Sequence, residues 1–198
     1  MNTEYADVTA ILLAGGSSSR MGTEKGLVLL NGKPLLEYAL ETLQSVFDKI
    51  IISSNSKAFN GYGRPVVADE FPDCGPLSGI YSGMRSMQTN YAFVHSYDMP
   101  FVKPELIRMI LDYRHDYEVV LPVYQDFPVP VCAIYHRSIL PQMESNLRTK
   151  KLKLIRFVKE QKHHQLKLDS DIEYQLFSLN TQQDLHHAVA IQNKKIIY

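Results

Sequence analysis

The sequence predicts an α/β chain built on a mostly parallel central sheet with helices on both faces. Three observations carry that prediction. Val8-Thr9-Ala10-Ile11-Leu12-Leu13 is a nearly continuous apolar run ending at Ala14-Gly15-Gly16, which is how a strand covered on both faces reads. Similar runs recur at Lys49 to Ser53 and Tyr91 to Ser96. Between them lie segments with apolar residues at three- and four-residue spacing, as in amphipathic helices. Strands alternating with helices in this way give a parallel sheet.

Each element has its own warrant. Val8 to Leu13 is the first strand, and the glycine- and serine-rich stretch Gly15 to Gly22 reads as a loop. Pro34 opens a helix, as proline does at a first helical position. Leu35, Leu36, Ala39, Leu40, Leu43 and Phe47 give that helix its apolar stripe. Lys49 to Ser53, rich in β-branched residues, is the second strand. After turn-rich Asn55 to Gly63, Pro65 to Val67 makes a short third strand, and Asp69 to Pro76 is a loop. Leu77 to Gln88 is a helix despite Gly79 and Gly83, whose spacing points to close backbone approach.

Tyr91 to Ser96, the fourth strand, delivers Asp98, and Lys103 to Tyr113 is a helix. Glu118 to Tyr124 and Val131 to His136 are strands around a loop from Gln125 to Pro130. Ser138 is expected to cap a helix through Leu147, with another helix from Leu152 to Gln161. A final strand is expected at Leu176 to Leu179, then Asn180-Thr181 as the cap of a C-terminal helix from Gln182.

A length of 198 residues predicts one domain over residues 1–198, large enough to bury a full core without staples. The 21 acidic and 21 basic side chains cancel, so a broad basic face for nucleic acid is not expected, and any anion site must be local. Cys74 and Cys132 have no metal or redox spacing and fit a reducing compartment. The apolar run Val8 to Ala14 is too short for a signal core or a membrane span. The cytoplasm, with no membrane partner, is the expected location.

In doubly wound sheets ligands bind at the carboxyl ends of strands where the strand order reverses. A three-two-one-four order would make the loop after the first strand and Asp98 neighbours. In Leu13 to Lys25 the glycines allow backbone amides to approach phosphate oxygens, and Arg20 and Lys25 add positive charge. The spacing matches neither the P-loop nor the dinucleotide fingerprint; a plain connecting loop with two solvated cations is the bland alternative. Asp98, at a strand end before Met99-Pro100, offers the hard oxygen that Mg²⁺ on a nucleotide takes, or else it caps the next helix.

At this point a family resemblance becomes visible. Gly15-Gly16-x-Ser-x-Arg20-Met21-Gly22-x-x-Lys25 and Gly32-Lys33-Pro34-Leu35 resemble the signature of the molybdenum cofactor guanylyltransferases. The likeness continues through Gly75-Pro76-Leu77-x-Gly79-Ile80, Asp98-Met99-Pro100-Phe101 and Asn180-Thr181-x-x-Asp184-Leu185. The opening motif is shared with cytidylyl- and sugar-phosphate nucleotidyltransferases; the double glycine after Leu13-Ala14 favours the guanylyl branch. The resemblance implies a single-domain, three-layer Rossmann-like fold of the nucleotide-diphospho-sugar transferase type. It implies transfer of GMP from GTP to the phosphate of molybdopterin or of the molybdenum cofactor, with release of pyrophosphate. Leu13, Ala14 and Gly15 would then contact the nucleotide through backbone groups, Lys25 its phosphates, and Asp69 the guanosine. Asp98 would bind Mg²⁺. Proteins that deliver or receive the cofactor are the further partners it implies. The family's asparagine at the end of the second strand is Ser53 here, with Asn55 two residues on, so that contact stays open between them.

The chemistry is consistent with this residue set. A phosphate nucleophile is already ionised at neutral pH and needs no strong base. What remains is to neutralise charge growing on the α-phosphoryl group and pyrophosphate, which Mg²⁺ on Asp98, Lys25, Arg20 and loop amides can do. His163-His164 and His186-His187 are spaced poorly for bidentate metal binding and read as surface histidines. The basic stretch Arg148, Lys150, Lys151, Lys153, Arg156, Lys159 and Lys162 would serve a phosphate-bearing substrate or simply face solvent. Tyr124 to Pro130 would line an acceptor pocket or form a rigid turn. Two other functions stay open: a cytidylyl- or uridylyltransferase for another phosphorylated acceptor, and a nucleotide-binding regulator without catalysis.

Overall fold

The computed structural model describes residues 3–15 and 25–195. Its central sheet is mixed. The strands are β1 (Val8–Leu13), β4 (Ile50–Ser53), β5 (Val66–Val67), β6 (Tyr91–Ser96), β7 (Val119–Tyr124), β9 (Cys132–His136) and β10 (His163–Lys167). Short β8 (Phe127–Pro128) folds back on β7, and β2 (Leu29–Leu30) pairs with β3 (Lys33–Pro34) in a separate ribbon. The helices are α1 (Leu35–Gln44), α2 (Pro76–Ser86), α3 (Pro104–Leu111), α4 (Leu140–Arg148), α5 (Leu154–Lys159), α6 (Ser170–Glu173) and α7 (Gln182–Lys195).

The strand order is β10-β7-β9-β6-β1-β4-β5. The run β5-β4-β1-β6 is parallel throughout and is the expected three-two-one-four order. β9 enters antiparallel to both β6 and β7, so β7 again points the same way as β6. β10 lies parallel to β7. The carboxyl ends of β1, β4, β5, β6, β7 and β10 therefore share one edge.

Burial explains the unbroken apolar run of β1. Ala10 and Leu12 sink into the core beneath α1 and α3, while Ile11 and Leu13 face the core beneath α2, α4 and α5. With helices on both sides no residue of β1 reaches water. The α1 stripe is buried as expected, but the helix ends at Gln44. Phe47 reaches the core from the following turn, where its N–H donates to Leu43 O at 2.8 Å. The two glycines of α2 are close-approach points: a Cβ on Gly83 would lie 2.8 Å from two carbons of Ile11.

Several sequence expectations are corrected. Leu176 to Leu179 is not a strand: a 3-10 turn at Tyr174–Leu176 leads into a segment held to the β6 exit by Leu179 N donating to Asp98 O at 2.8 Å. Besides the two-residue strands β2, β3 and β8, the sequence does not announce β10, which carries only one buried side chain, Leu166, and so shows no apolar alternation. Backbone pairing with β7 fixes it. Ser138 caps nothing, because its hydroxyl donates to Glu118 Oε1 at 2.8 Å and His136 Nδ1 accepts the Ser138 N–H. Asn180-Thr181 does begin α7: Thr181 Oγ1 accepts the Asp184 N–H at 3.1 Å, and the Asp184 carboxylate accepts the N–H groups of Asn180 and Thr181. That reciprocal pairing is a capping box.

Candidate active site

The site lies on the shared strand edge and is organised by the exit of β1. Ala14 N donates to Ser53 O at 2.9 Å, and Tyr97 N donates to Leu13 O at 3.3 Å. The backbone of Leu13 and Ala14 is thus tied to β4 on one side and to β6 on the other. Ser54, buried at the β4 exit, donates its hydroxyl to Ala14 O at 3.0 Å and accepts the Ser56 N–H at 3.1 Å. Gly15 follows and is exposed.

Helix α2 closes one wall. Its N-cap Gly75 takes φ +63°, a left-handed backbone that favours glycine, and Pro76 follows in the first turn. The position a Cβ on Gly79 would take is 2.8 Å from Ser53 Oγ, 3.2 Å from Leu13 Cδ2 and 3.6 Å from Asp69 Oδ1. The ends of β1 and β4 and Asp69, two residues past β5, therefore converge on α2 at Gly79. Glycine at 79 is what allows that convergence.

Asp69 is half-buried and held by Asn55: Asn55 Oδ1 accepts the Asp69 N–H at 2.8 Å, and Asn55 Nδ2 donates to Asp69 Oδ2 at 3.2 Å. Burial raises the Asp69 carboxyl above the usual carboxylate range, and the Asn55 hydrogen bond opposes the rise. Ser53 is turned elsewhere, its buried hydroxyl donating to Gly79 O at 3.2 Å.

Asp98 sits in the turn after β6, half-buried, between buried Tyr97 and Met99. Met99 N donates to Ser96 O at 3.3 Å, and Phe101 and Val102 anchor the turn in the core. The β6–β1 register, Leu13 opposite Ser96, brings this turn beside the β1 exit. Lys25 has its backbone in a 3-10 turn, Lys25–Leu27. Its side chain, and Arg20 altogether, lie outside the described residues.

The remaining candidates lie in other surroundings. His164 stacks between Tyr113 and Tyr117, with ring centroids 4.8 and 5.0 Å away. Exposed His187 lies beside Phe177, and no group of three or more His, Cys, Asp or Glu able to hold a metal occurs among the described residues. Arg148 pairs with Glu144 and Arg156 with Glu160, while Lys150 Nζ donates to Cys74 Sγ at 3.3 Å. Exposed pairs of this kind add little stability. Both cysteines are free and buried, and burial pushes the Cys132 thiol up to about 12. Sequence reasoning undervalued Ser54 and Asn55. Their place right after the second strand of a parallel sheet was the available signal.

Residues 10–166 match the model of the MobA-like NTP transferase domain. The chain belongs to this family. Among its relatives is a probable molybdenum cofactor guanylyltransferase of Natranaerobius thermophilus, 34% identical over 194 residues, covering 92% of this chain and 95% of the relative. A protein of the same description from Clostridium perfringens is 35% identical over 149 residues, 75% of each chain. The crystal structure of molybdopterin-guanine dinucleotide biosynthesis protein A from Archaeoglobus fulgidus superposes with a TM-score of 0.83 at 24% identity, over 94% of this chain and 99% of that one. A cytidylyltransferase of Thermus thermophilus has a TM-score of 0.71 at 15% identity, covering 92% and 98%, so the fold itself is common to enzymes of different nucleotide preference. As a MobA-like nucleotidyltransferase, the chain has its strand order and its β1 exit in the arrangement that the reversal rule for nucleotide sites expects.

Proposed function

We propose that this chain transfers GMP from GTP to the phosphate of molybdopterin, the organic part of the molybdenum cofactor, releasing pyrophosphate. The observation that carries the reading is the convergence of Leu13, Ser53 and Asp69 on Gly79, with Asp98 beside the same β1 exit, in a chain 34% identical to a probable molybdenum cofactor guanylyltransferase. The backbone of Leu13, Ala14 and Gly15 would hold the nucleotide, and the Asp69 carboxylate would accept the guanine N–H donors.

Asp98 is a single hard carboxylate at a strand end. Mg²⁺ on a nucleotide is commonly held by one or two carboxylates with phosphates and waters supplying the rest, so this donor set fits that ion. Once bound, the ion supplies charge neutralisation at the phosphate oxygens. An acceptor phosphate oxygen attacks the α-phosphorus, its bond forms as the bond to pyrophosphate breaks, and pyrophosphate leaves with the electron pair. Lys25 and Arg20 would offset the charge that builds on the leaving group. Residues 1–198 would form one catalytic domain. No helix among the described residues is long and apolar enough to cross a membrane, and the two free buried cysteines fit our placement of the protein in the cytoplasm.

A thermal-shift screen with GTP, ATP, CTP and UTP, each with Mg²⁺, tests the reading. Sites built around a specific hydrogen-bond donor reject analogues that lack it, at about 1–3 kcal/mol for each polar group left unpaired. GTP is expected to raise the melting temperature clearly and the others weakly. Equal stabilisation by CTP would promote a cytidylyltransferase function instead.

A further inference from the structure

Past the last rung of the β4–β5 ladder, where Ser54 N donates to Val67 O at 2.9 Å, the two strands are joined by a side chain. Asn55 grips Asp69 at both ends, backbone N–H at 2.8 Å and carboxylate Oδ2 at 3.2 Å. The other carboxylate oxygen, Oδ1, faces the bare backbone of Gly79, 3.6 Å from where a Cβ would be. One oxygen is therefore fixed by an amide, and the other lies beside Gly79, where the Ser53 hydroxyl and the Leu13 side chain also meet the helix. Exposed Asn55 has no core to fill, and its hydrogen bond opposes the rise that burial imposes on the Asp69 carboxyl.

We propose that Asn55 is a positioning residue for base selection, fixing the Asp69 carboxylate in the one orientation that accepts the N1–H and exocyclic N2–H₂ of guanine together. The inference rests on the guanylyl reading above and deepens it. An aspartate free to rotate about its side-chain torsions must be ordered when the base binds, and that ordering weakens binding. A carboxylate already held by an amide has lost that freedom before the nucleotide arrives.

The test compares GTP with ITP, whose base keeps N1–H and the carbonyl but lacks the exocyclic amine. Titration with Mg²⁺ on wild type, Asn55→Ala, Asn55→Asp and Asp69→Asn gives the two affinities for each. Wild type is expected to prefer GTP. Asn55→Ala is expected to weaken GTP by about tenfold, the loss of one hydrogen bond to a charged group, and ITP by less, with KM for GTP rising more than kcat falls. Asn55→Asp keeps the acceptor for the Asp69 N–H but sets a like charge beside the carboxylate. A merely structural asparagine would show its loss in the melting temperature with the GTP-over-ITP ratio unchanged, whereas positioning predicts the same collapse of that ratio. If Asp69→Asn loses the ratio while both Asn55 variants keep it, the positioning role is overturned and the guanine contact stands. If Asp69→Asn keeps the ratio, the guanine contact itself fails and takes the positioning role with it.

Discussion

At the scale of single residues, the charges proposed for catalysis separate from those that serve the fold. Asp98 is half-buried in a turn anchored by buried Met99, Phe101 and Val102 and by the Leu179 bond to its carbonyl. Asp98→Ala should therefore fold with a melting temperature near that of wild type yet lose turnover by at least about a hundredfold, several kcal/mol of transition-state stabilisation. Normal turnover at ordinary Mg²⁺ would remove Asp98 from the metal role. Lys25 and Lys33 form a second contrast. Lys33 bonds the Glu41 carboxylate and lies over the Tyr38 ring at 4.5 Å, so its charge is engaged on the α1 surface. Lys25→Ala should slow transfer by tenfold or more, roughly one strong phosphate contact, and Lys33→Ala should cost only a little stability. Equal loss of activity in the two variants, measured as kcat/KM for GTP, would end the phosphate assignment of Lys25.

At the scale of elements, α2 is the part whose packing and function are hardest to separate. Its glycines let it lie directly on β1 and β4, and the sequence shows this only as two poor helix formers four residues apart. Gly83→Ala gains about 1 kcal/mol of helix propensity but must push a methyl to within 2.8 Å of Ile11. Overpacking of that kind costs about 1–3 kcal/mol, so we expect a net loss of about 1 kcal/mol in urea denaturation with GTP affinity retained. A variant more stable than wild type would show that α2 can slide. The same comparison explains what the sequence revealed at this scale. Strands buried on two faces, β1, β4 and β6, announce themselves through continuous apolar runs. β10 does not, because an edge strand with one buried side chain is held by backbone bonds, to which side-chain patterning is blind.

At the scale of the whole molecule, the interior holds a histidine that the proposed chemistry leaves unused. His95 on β6 is fully buried, its register neighbours being Leu12 on β1 and Cys132 on β9. Neither ring nitrogen has a hydrogen-bond partner among the described residues. Burial lowers its pKa to about 4 from 6.5. Between those values the unfolded chain binds a proton that the folded chain refuses, so stability falls as pH drops through the window and is fully present above about 6.5. The loss is about 2 kcal/mol on going from pH 7 to pH 5. Urea denaturation at the two pH values should show it, and His95→Leu should flatten the difference. An unchanged pH dependence in that variant would assign the acid sensitivity to other groups.

The sequence by itself determined the layered α/β architecture and pointed to the strand end at which Leu13, Ala14 and Gly15 are proposed to meet a nucleotide. Local residue patterns suffice there, because burial on both faces and the strand-helix alternation leave few arrangements open. The tertiary structure alone decided that β9 enters antiparallel and turns β7 back to the same edge, that Ser53 faces α2, and that Asn55 reaches Asp69. Those residues lie 14 positions apart. Nothing in their local patterns links them, since the contact arises only when two parallel strands pair and leave their exits side by side.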